Sequence, residues 1–391
     1  MKIGLIGDHI SDVYIYGKMK RFSPESPIPI FDITHEESKA GGASNVNNNL
    51  QALGAHTLYY FDGVDYSVKK RYVCDNHIMF RCDEDKWSKC DPLTVEFPED
   101  CKYVILSDYN KGVLRNSQAL VHKLKQQGKI VIIDPKRNLL NYEGADIVKM
   151  NESEYGRFSM IDGGYQETRR FYNIGTLVIT RGCKGPIIVT SKGIVELEGI
   201  EKEVCDVTGA GDVFVAAMTY YLAKGDSIEK ACAKANQLAS MSVCHFGTYM
   251  LTQDDIRAVE KKTVFTNGCF DVLHRGHIEY LKQSKQLGDR LVVGINSDAS
   301  VKRLKGLCRP INTEEDRKFV LESLDCVDEV IIFDEDTPYD LIKRLQPDII
   351  TKGGDYTVET VVGNDLAEVV IIPTVEGYST TNILENINEN R

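Results

Sequence analysis

The sequence predicts an α/β protein built from two consecutive domains. Short runs of β-branched and apolar residues alternate with helical stretches, as at Lys2 to Ile6, Leu177 to Thr180 and Leu291 to Ile295. Continuous apolar strands of this kind belong to parallel sheets that helices cover on both faces. A length of 391 residues exceeds what one ordinary hydrophobic core supports, and this favours two domains.

The domain boundary is marked by a restart of this pattern. The helical stretch QDDIRAVEKK, which begins at Gln253, leads directly into the strand TVFTNG and a new series of strands and helices. We therefore expect one domain over residues 1–260 and a second over residues 261–391.

Composition limits the class of partner. The formal net charge of -11 argues against a surface for nucleic acid or anionic membrane, because such surfaces need an excess of Lys and Arg. Eleven cysteines without a C-x-x-C pair suit reduced thiols in a cytoplasm. No stretch reaches the roughly 18 apolar residues of a membrane helix, and the first residues lack the pattern of a signal peptide. We expect a cytoplasmic protein that binds small phosphorylated molecules and neither nucleic acid nor membrane.

The densest motif, T-N-G-C-F-D-V-L-H-R-G-H at residues 266–277, lies in the second domain. A strand ends at Asn267-Gly268, and a helix opens near His277. Amides at a helix N-terminus face an anion, and His274 and His277 can both reach the same phosphate. The motif predicts a site that stabilises charge on a nucleotide's α-phosphate while a sugar phosphate attacks and pyrophosphate leaves.

This string resembles the H-x-G-H motif of the cytidylyltransferase-like nucleotidyltransferases, which have a Rossmann-like fold. The resemblance implies that His274 and His277 contact the triphosphate and stabilise the pentavalent transition state. A K-R-x-K run supplies Lys302, although a solvated helix face would also explain that run. We expect nucleotide contacts from Asn267, Gly268, Phe270, Asp271, Lys302, Lys352, Gly353, Ser379, Thr380 and Thr381.

A second phosphate motif, D-V-T-G-A-G-D at residues 206–212, precedes a long apolar helix in the first domain. Gly209 and Gly211 let amides converge at the helix N-terminus into an anion hole, and Asp212 stands beside it as a base. The motif resembles that of the ribokinase-like carbohydrate kinases, which have a three-layer α/β fold. The resemblance implies that Asp212 deprotonates a sugar hydroxyl while amides around Ala210 steady the moving phosphoryl group.

Other segments of the first domain match the same kinase family, which implies ATP and Mg²⁺ as cofactors and a homodimer through the kinase domain. The N-x-x-E motif implies that Asn151 and Glu154 organise Mg²⁺ through water. ATP contacts are implied for Thr180, Arg181 and Gly182. Sugar contacts are implied for Asp8, Asp12, Gly41, Gly42, Asn45, Lys111 and Asp206.

Both halves in this order resemble the bifunctional enzymes of bacterial ADP-heptose synthesis, a part of lipopolysaccharide biosynthesis. The resemblance implies two reactions. ATP first phosphorylates heptose 7-phosphate at O1. After a separate phosphatase removes the 7-phosphate, the second domain transfers AMP from ATP to heptose 1-phosphate.

Two alternatives stay open at this point. Because H-x-G-H contacts only phosphates, the second domain could be a cytidylyltransferase for another sugar or polyol phosphate. The first domain could be a kinase-inactive sugar-phosphate sensor, since the kinase family carries about thirty more residues after Asp65. Loss of that strand and helix would expose a sheet edge. The intact motif that ends at Asp212 argues against an inactive domain.

Overall fold

The structure, a computed structural model, describes residues 1–75, 77–159, 161, 163–354 and 356–373. It divides into two compact units, Met1–Val259 and Glu260–Arg391, one residue away from the expected boundary. The nucleotide contacts predicted for Ser379, Thr380 and Thr381 lie outside the described residues.

The described part of the first unit contains twelve strands and seven helices. The strands are β1 (Lys2–Gly7), β2 (His9–Phe22), β3 (Pro29–Gly42), β4 (His56–Tyr60), β5 (Ser67–Cys74), β6 (His77–Glu84), β7 (Tyr103–Ser107), β8 (Ile130–Asp134), β9 (Ile147–Asn151), β10 (Thr176–Thr180), β11 (Ile187–Thr190) and β12 (Gly193–Glu196). The helices are α1 (Ala43–Ala52), α2 (Ser117–Gln126), α3 (Glu152–Phe158), α4 (Gly164–Phe171), α5 (Ala210–Lys224), α6 (Ile228–Ser242) and α7 (Gln253–Val259).

Eight of these strands form the main sheet, in the order β12-β11-β10-β9-β8-β7-β1-β4. The strands from β10 to β4 are parallel, whereas β11 and β12 pair antiparallel at one edge. Apolar strand residues face both sides of the sheet. One core cluster includes Val46 of α1 and Val213 of α5, and the other includes Leu120 of α2. The result is the three-layer arrangement expected from the sequence.

The other four strands form a smaller sheet in the order β3-β2-β5-β6, which we call the lid sheet. The chain passes from β4 to β5 through residues 61–66 alone. The main sheet therefore ends at β4, and no described strand pairs with its outer side. An open edge at this place is what the short connection after Asp65 predicts.

The described part of the second unit contains a five-stranded parallel sheet in the order β15-β14-β13-β16-β17. The strand order reverses between β13 and β16, and ligands of open α/β sheets bind in the crevice at such a switch point. None of the helices in the described ranges is long and apolar enough to cross a membrane. The strands are β13 (Thr263–Gly268), β14 (Arg290–Asn296), β15 (Glu329–Phe333), β16 (Ile349–Gly353) and β17 (Glu368–Ile372), and the helices are α8 (Arg275–Lys285), α9 (Asp298–Lys305), α10 (Glu314–Glu322) and α11 (Tyr339–Leu345).

Candidate active sites

The first unit holds a cavity of about 410 Å³ where β8, β9 and β10 end and α5 begins. Parallel strands end at the same edge of a sheet, so residues far apart in the sequence meet there. The cavity brings together eight residues that the sequence assigned to phosphate transfer, namely Asn151, Glu154, Thr180, Gly182, Gly209, Ala210, Gly211 and Asp212.

Asp212 lies in the first turn of α5 and is only 2% exposed. The Tyr109 hydroxyl donates a hydrogen bond to its Oδ1 at 2.6 Å, and Asn45 Nδ2 donates to its Oδ2 at 3.0 Å. Burial, followed by the charge of Asp134, raises the pKa of Asp212 to about 6. A carboxylate with a pKa close to the working pH is suited to act as a general base.

Two lysines carry positive charge to the same cavity. Lys149 is 3% exposed, and its Nζ lies 3.2 Å from Asp134 Oδ1. Lys136 forms an ion pair with Glu154. Burial alone would lower the pKa of Lys136, but the charges of Asp134 and Glu154 outweigh it and raise that pKa. Two ammonium groups beside a helix N-terminus form the electrostatic surroundings that a moving phosphoryl group requires.

The N-x-x-E motif forms a capping box at the start of α3. Asn151 Oδ1 accepts from the Glu154 amide at 2.8 Å, and Glu154 Oε2 accepts from the Asn151 amide at 3.0 Å. The carboxylates of Asp134 and Glu154 line the same cavity and are oxygen donors of the kind that Mg²⁺ prefers. Asp134 and Glu154 are each paired with a lysine. These donors therefore fit a Mg²⁺ ion that is held through water.

Arg181 does not line this cavity, although the sequence assigned it to ATP. Its guanidinium donates to the Gly185 carbonyl at 3.0 Å and to the Glu196 carboxylate at 2.9 Å. These bonds attach the turn that follows β10 to strand β12. The side chain is therefore occupied in supporting the rim of the site.

Asp8 holds the loop that follows β7. It is 1% exposed, and its carboxylate accepts three backbone amides at 2.8 to 3.1 Å, from Tyr109, Lys111 and Val113. These bonds fix the conformation of that loop. The ammonium group of Lys111 forms an ion pair with Asp85 at 2.5 Å.

Asp206 is likewise bound to the main chain. Its Oδ1 accepts from the Thr208 amide at 2.9 Å, and its Oδ2 accepts from the Gly247 amide at 3.0 Å. These bonds fix the turn that leads into α5. Asp8 and Asp206 thus both hold backbone amides that shape the site, and their expected sugar contacts stay a prediction.

Asp12 and the glycine segment meet where the lid sheet joins α1. Asp12 is 3% exposed and forms an ion pair with Arg71 of β5. A Cβ on Gly41 would lie 2.0 Å from Asp12 Oδ2, so only glycine permits this approach. Gly42 has a φ of 58° at the N-cap of α1. The turn there brings Asn45 against Asp212.

The sequence analysis missed four residues of this cavity, Tyr109, Asp134, Lys136 and Lys149. Lys149 interrupts the apolar residues of the strand IVKMN. Asp134 and Lys136 follow the apolar residues IVII within the segment IVIIDPK. Charged residues seldom occur in a buried strand unless they are paired. That rule could have revealed two of the four, Asp134 and Lys149.

The second candidate site lies at the start of α8. The imidazole rings of His274 and His277 stack with their centroids 3.8 Å apart, and the Phe270 ring meets His277 edge-on at 5.4 Å. Burial, followed by His274, lowers the pKa of His277 to about 4, so the ring is neutral at pH 7. Within the described chain, His277 Nδ1 and Asn267 Oδ1 are buried without a hydrogen-bond partner. Open polar atoms of this kind need an explanation, and a ligand supplies one.

Lys352 joins this site at the switch point of the sheet. Its Nζ donates to the Asn267 carbonyl at 3.1 Å, which connects the ends of β16 and β13. Burial lowers the pKa of Lys352 to about 8. Gly353 lies beside the Tyr280 ring of α8, which a Cβ at that position would approach to 3.5 Å. The structure thus brings Lys352 to Asn267, and it places Gly353 beside Tyr280 of the helix that carries His277.

Two residues predicted as nucleotide contacts make structural contacts within the second unit. Asp271 is 8% exposed, and its carboxylate accepts from Arg309 at 2.7 Å and from the amides of Ile311 and Asn312. Phe270 is 7% exposed and belongs to the core cluster of this unit. The two side chains therefore hold the loop and the core, and their expected contact with nucleotide stays a prediction. Lys302 is exposed on α9.

Comparisons with known proteins cover both units. A model described as pfkB family carbohydrate kinase matches residues 99–254, and one described as cytidylyltransferase-like matches residues 265–386. The bifunctional protein HldE of Helicobacter pylori is 36% identical over 453 residues, which cover 99% of this chain and 98% of that protein. HldE of Nitratiruptor sp. is 36% identical over 459 residues, with 99% of each chain covered.

This chain belongs to the HldE family. It is a bifunctional enzyme in which a carbohydrate kinase precedes a nucleotidyltransferase, and the two family models match in that order. The predicted fold class is confirmed. The predicted function, a heptose-phosphate kinase joined to an adenylyltransferase, is confirmed with it.

Solved structures resemble the first unit in fold alone. A nucleoside kinase of the ribokinase family from Methanocaldococcus jannaschii covers 66% of this chain and 98% of its own, at a TM-score of 0.53 and 18% identity. Ribokinase of Arabidopsis thaliana, complexed with ribose and ATP, covers 66% of this chain and 97% of its own, at a TM-score of 0.51 and 16% identity. The likeness supports the ribokinase-like three-layer assignment.

This chain is shorter than its HldE relatives. The alignment with the Helicobacter pylori protein spans 453 positions, 62 more than the 391 residues of this chain. The relative therefore carries segments that this chain lacks. That the largest of them follows Asp65 stays a prediction.

Proposed function

We propose that the first unit phosphorylates heptose 7-phosphate at O1, with ATP as donor and Asp212 as general base. The supporting observation is that the Asp212 carboxylate shares one cavity with Lys136, Lys149 and the start of α5. Asp212 accepts the proton of the O1 hydroxyl, O1 attacks the γ-phosphorus, and ADP leaves. The ammonium groups and the first amides of α5 stabilise the charge that develops on the moving phosphoryl group.

Mg²⁺ accompanies ATP in this proposal. Asn151 and Glu154, together with Asp134, would hold the ion through water, because Glu154 and Asp134 are already paired with lysines. When bound, the ion neutralises charge on the β- and γ-phosphates. Thr180 and Gly182 line the same cavity and remain proposed ATP contacts.

The second unit transfers AMP from ATP to heptose 1-phosphate. A phosphate oxygen of the sugar attacks the α-phosphorus, and pyrophosphate leaves without a covalent enzyme intermediate. Neutral His274 and His277 donate hydrogen bonds to the phosphates, and Lys352 adds positive charge at the same crevice. Lys302 and residues 379–381 remain proposed triphosphate contacts.

The lid sheet supports a homodimer through the kinase unit. An aromatic row of Phe31, Tyr72 and Phe80 crosses it, with ring centroids 5.5 Å and 4.2 Å apart. Phe80 is 46% exposed, and Ile33 and Ile78 nearby are 56% and 41% exposed. A continuous apolar surface of this kind marks an interaction site. A second copy that presents the same row would cover it in a symmetric interface.

A reducing compartment suits this enzyme. All eleven cysteines are free thiols in the structure, and thiols persist where glutathione keeps them reduced. The expected location in the cytoplasm rests on this argument. The expected partners are small molecules, namely ATP and sugar phosphates.

A product analysis tests the proposal and its alternatives together. Purified protein is incubated with D-glycero-D-manno-heptose 7-phosphate and either ATP alone or ATP together with CTP, with and without a phosphatase, and the products are identified by mass. We expect a heptose bisphosphate from ATP alone and ADP-heptose when the phosphatase is present. Formation of a nucleotide sugar only when CTP is present would identify the second unit as a cytidylyltransferase. Failure to form the bisphosphate would favour a sensor.

A further inference from the structure

We propose that Tyr109 is a positioning residue of the kinase site, which holds the Asp212 carboxylate in place. The inference rests on the proposed role of Asp212 as general base and adds a residue that this role had not included. Tyr109 comes from the loop after β7, about one hundred residues before the motif of Asp212.

The geometry fixes the carboxylate from two sides. The Tyr109 hydroxyl reaches Oδ1 at 2.6 Å from the loop, and Asn45 Nδ2 reaches Oδ2 at 3.0 Å from α1. A carboxylate oxygen can accept more than one hydrogen bond, so Oδ1 can still receive the sugar hydroxyl. Asp212 is thereby oriented before the sugar arrives.

Tyr109 is itself held firmly. Its backbone amide donates to Asp8 at 2.8 Å, and the same carboxylate binds two further amides of the loop. The ammonium groups of Lys69 and Lys136 each lie 5.5 Å from the centre of the Tyr109 ring. A tyrosine that merely plugs the site would have to leave when the sugar binds, and these contacts oppose its departure.

The hydrogen bond also acts on the proton equilibrium. Burial raises the pKa of Asp212, whereas the bonds from Tyr109 and Asn45 lower it. Burial and the charge of Asp212 raise the pKa of Tyr109 well above its usual value, so the phenol stays protonated and keeps donating. The other ionisable groups that act on Asp212 or Tyr109 are Asp12, Tyr59, Lys69, Asp134, Lys136 and Lys149.

The test is the pH profile of the Tyr109→Phe enzyme. Kinase kcat is measured from pH 5 to 9 with heptose 7-phosphate and ATP, and thermal unfolding verifies the fold. The acid limb of this profile is the low-pH range in which protonation of Asp212 lowers kcat. We expect this limb to move up by about one pH unit, because one donor to the charged carboxylate is lost. Well below the limb, kcat then falls about tenfold relative to wild type, whereas the high-pH plateau and the KM for ATP change little.

A matched control is Tyr142→Phe, since the Tyr142 hydroxyl donates to Asp108 at the same 2.6 Å outside the cavity. It should leave the acid limb in place. If Tyr109→Phe does not fold, Tyr109→Met removes the donor in the same way and repeats the test.

Two results would overturn the inference. An unmoved acid limb with equal loss of kcat at every pH would show a merely structural residue. A lower KM for the sugar with no change in pH dependence would show that Tyr109 merely blocks the sugar site. The base itself is tested separately by Asp212→Asn, because retained phosphorylation in that variant would refute the proposed role of Asp212, whatever Tyr109 does.

Discussion

Lys149 and Gly211 approach each other so closely at the start of α5 that a Cβ on Gly211 would lie 2.7 Å from the lysine Nζ. Lys149 is buried and paired with Asp134, so its ammonium group is directed at this point. Glycine is therefore needed at this position of the kinase motif for its small size as well as for its flexible backbone. It leaves room for a cation beside the helix N-terminus.

The first prediction concerns Gly211→Ala. Alanine suits a helix better than glycine by roughly 0.5–1 kcal/mol, so the fold should be kept or slightly stabilised. The displaced ammonium group should lower kinase kcat by about 10²-fold, on the scale of one lost transition-state contact. Kinase assays and thermal unfolding measure both effects. Gly156→Ala in α3, where a Cβ meets nothing within 4 Å, is the matched control and should stay active.

The second prediction concerns acid stability. The pKa of His277 is about 4 in the folded chain against an ordinary 6.5. Above pH 6.5 neither state carries the proton, whereas between pH 6.5 and 4 the unfolded chain binds it and the folded chain does not. The free energy of unfolding of the second unit should therefore fall by about 1–3 kcal/mol as the pH drops through this window.

Urea unfolding of wild type and His277→Asn at pH 7.5 and 5 measures this effect. The variant lacks the titrating ring and should lose less stability on acidification. Equal losses in both proteins would mean that His277 is not the group responsible.

The third prediction concerns the attachment of α8. Tyr280 on α8 shares a buried hydroxyl network with Thr266 at 2.6 Å and Thr351 at 3.2 Å, and Ser284 reaches Thr351 at 2.9 Å. Tyr280→Phe should cost about 1–2 kcal/mol of unfolding free energy. Because α8 also carries His277, adenylyl transfer should slow several-fold while sugar phosphorylation is unchanged. Parallel assays of the two reactions check this, and loss of both activities would contradict it.

The sequence predicted the two folds and most of the phosphate-binding framework, because these depend on local patterns. A turn and a helix adjoin one another around Asp212, and a strand, a turn and a helix do so around His277, so their spacing already implies helix N-termini aimed at anions. The switch point at β13 and β16 depends on strand order, which this alternation does not determine.

Contacts between distant segments could not be predicted in this way. Asp8 and Asp271 each hold backbone amides of a loop far along the chain, and no local pattern indicates these bonds. Tyr109 reaches Asp212 only through the fold, and no spacing rule joins them. The loop conformations that decide such contacts depend on packing across the whole unit.

The fourth prediction concerns the proposed dimer. Phe80→Lys places a charge in the aromatic row of the lid sheet and should shift the protein to monomers in sedimentation velocity. Leu307→Lys, at a residue that is 90% exposed in the second unit, is the control and should leave the assembly unchanged. A wild-type protein that sediments as a monomer would refute the interface.

The central claim is that two independent sites, one at Asp212 and one at His277, carry the two reactions. The most direct test assays Asp212→Asn and His277→Ala for both activities, with heptose 7-phosphate and heptose 1-phosphate as separate substrates. Asp212→Asn should lower phosphorylation by about 10²- to 10⁴-fold and leave adenylyl transfer intact, and His277→Ala should do the reverse. Equal loss of both activities in either variant would contradict this account.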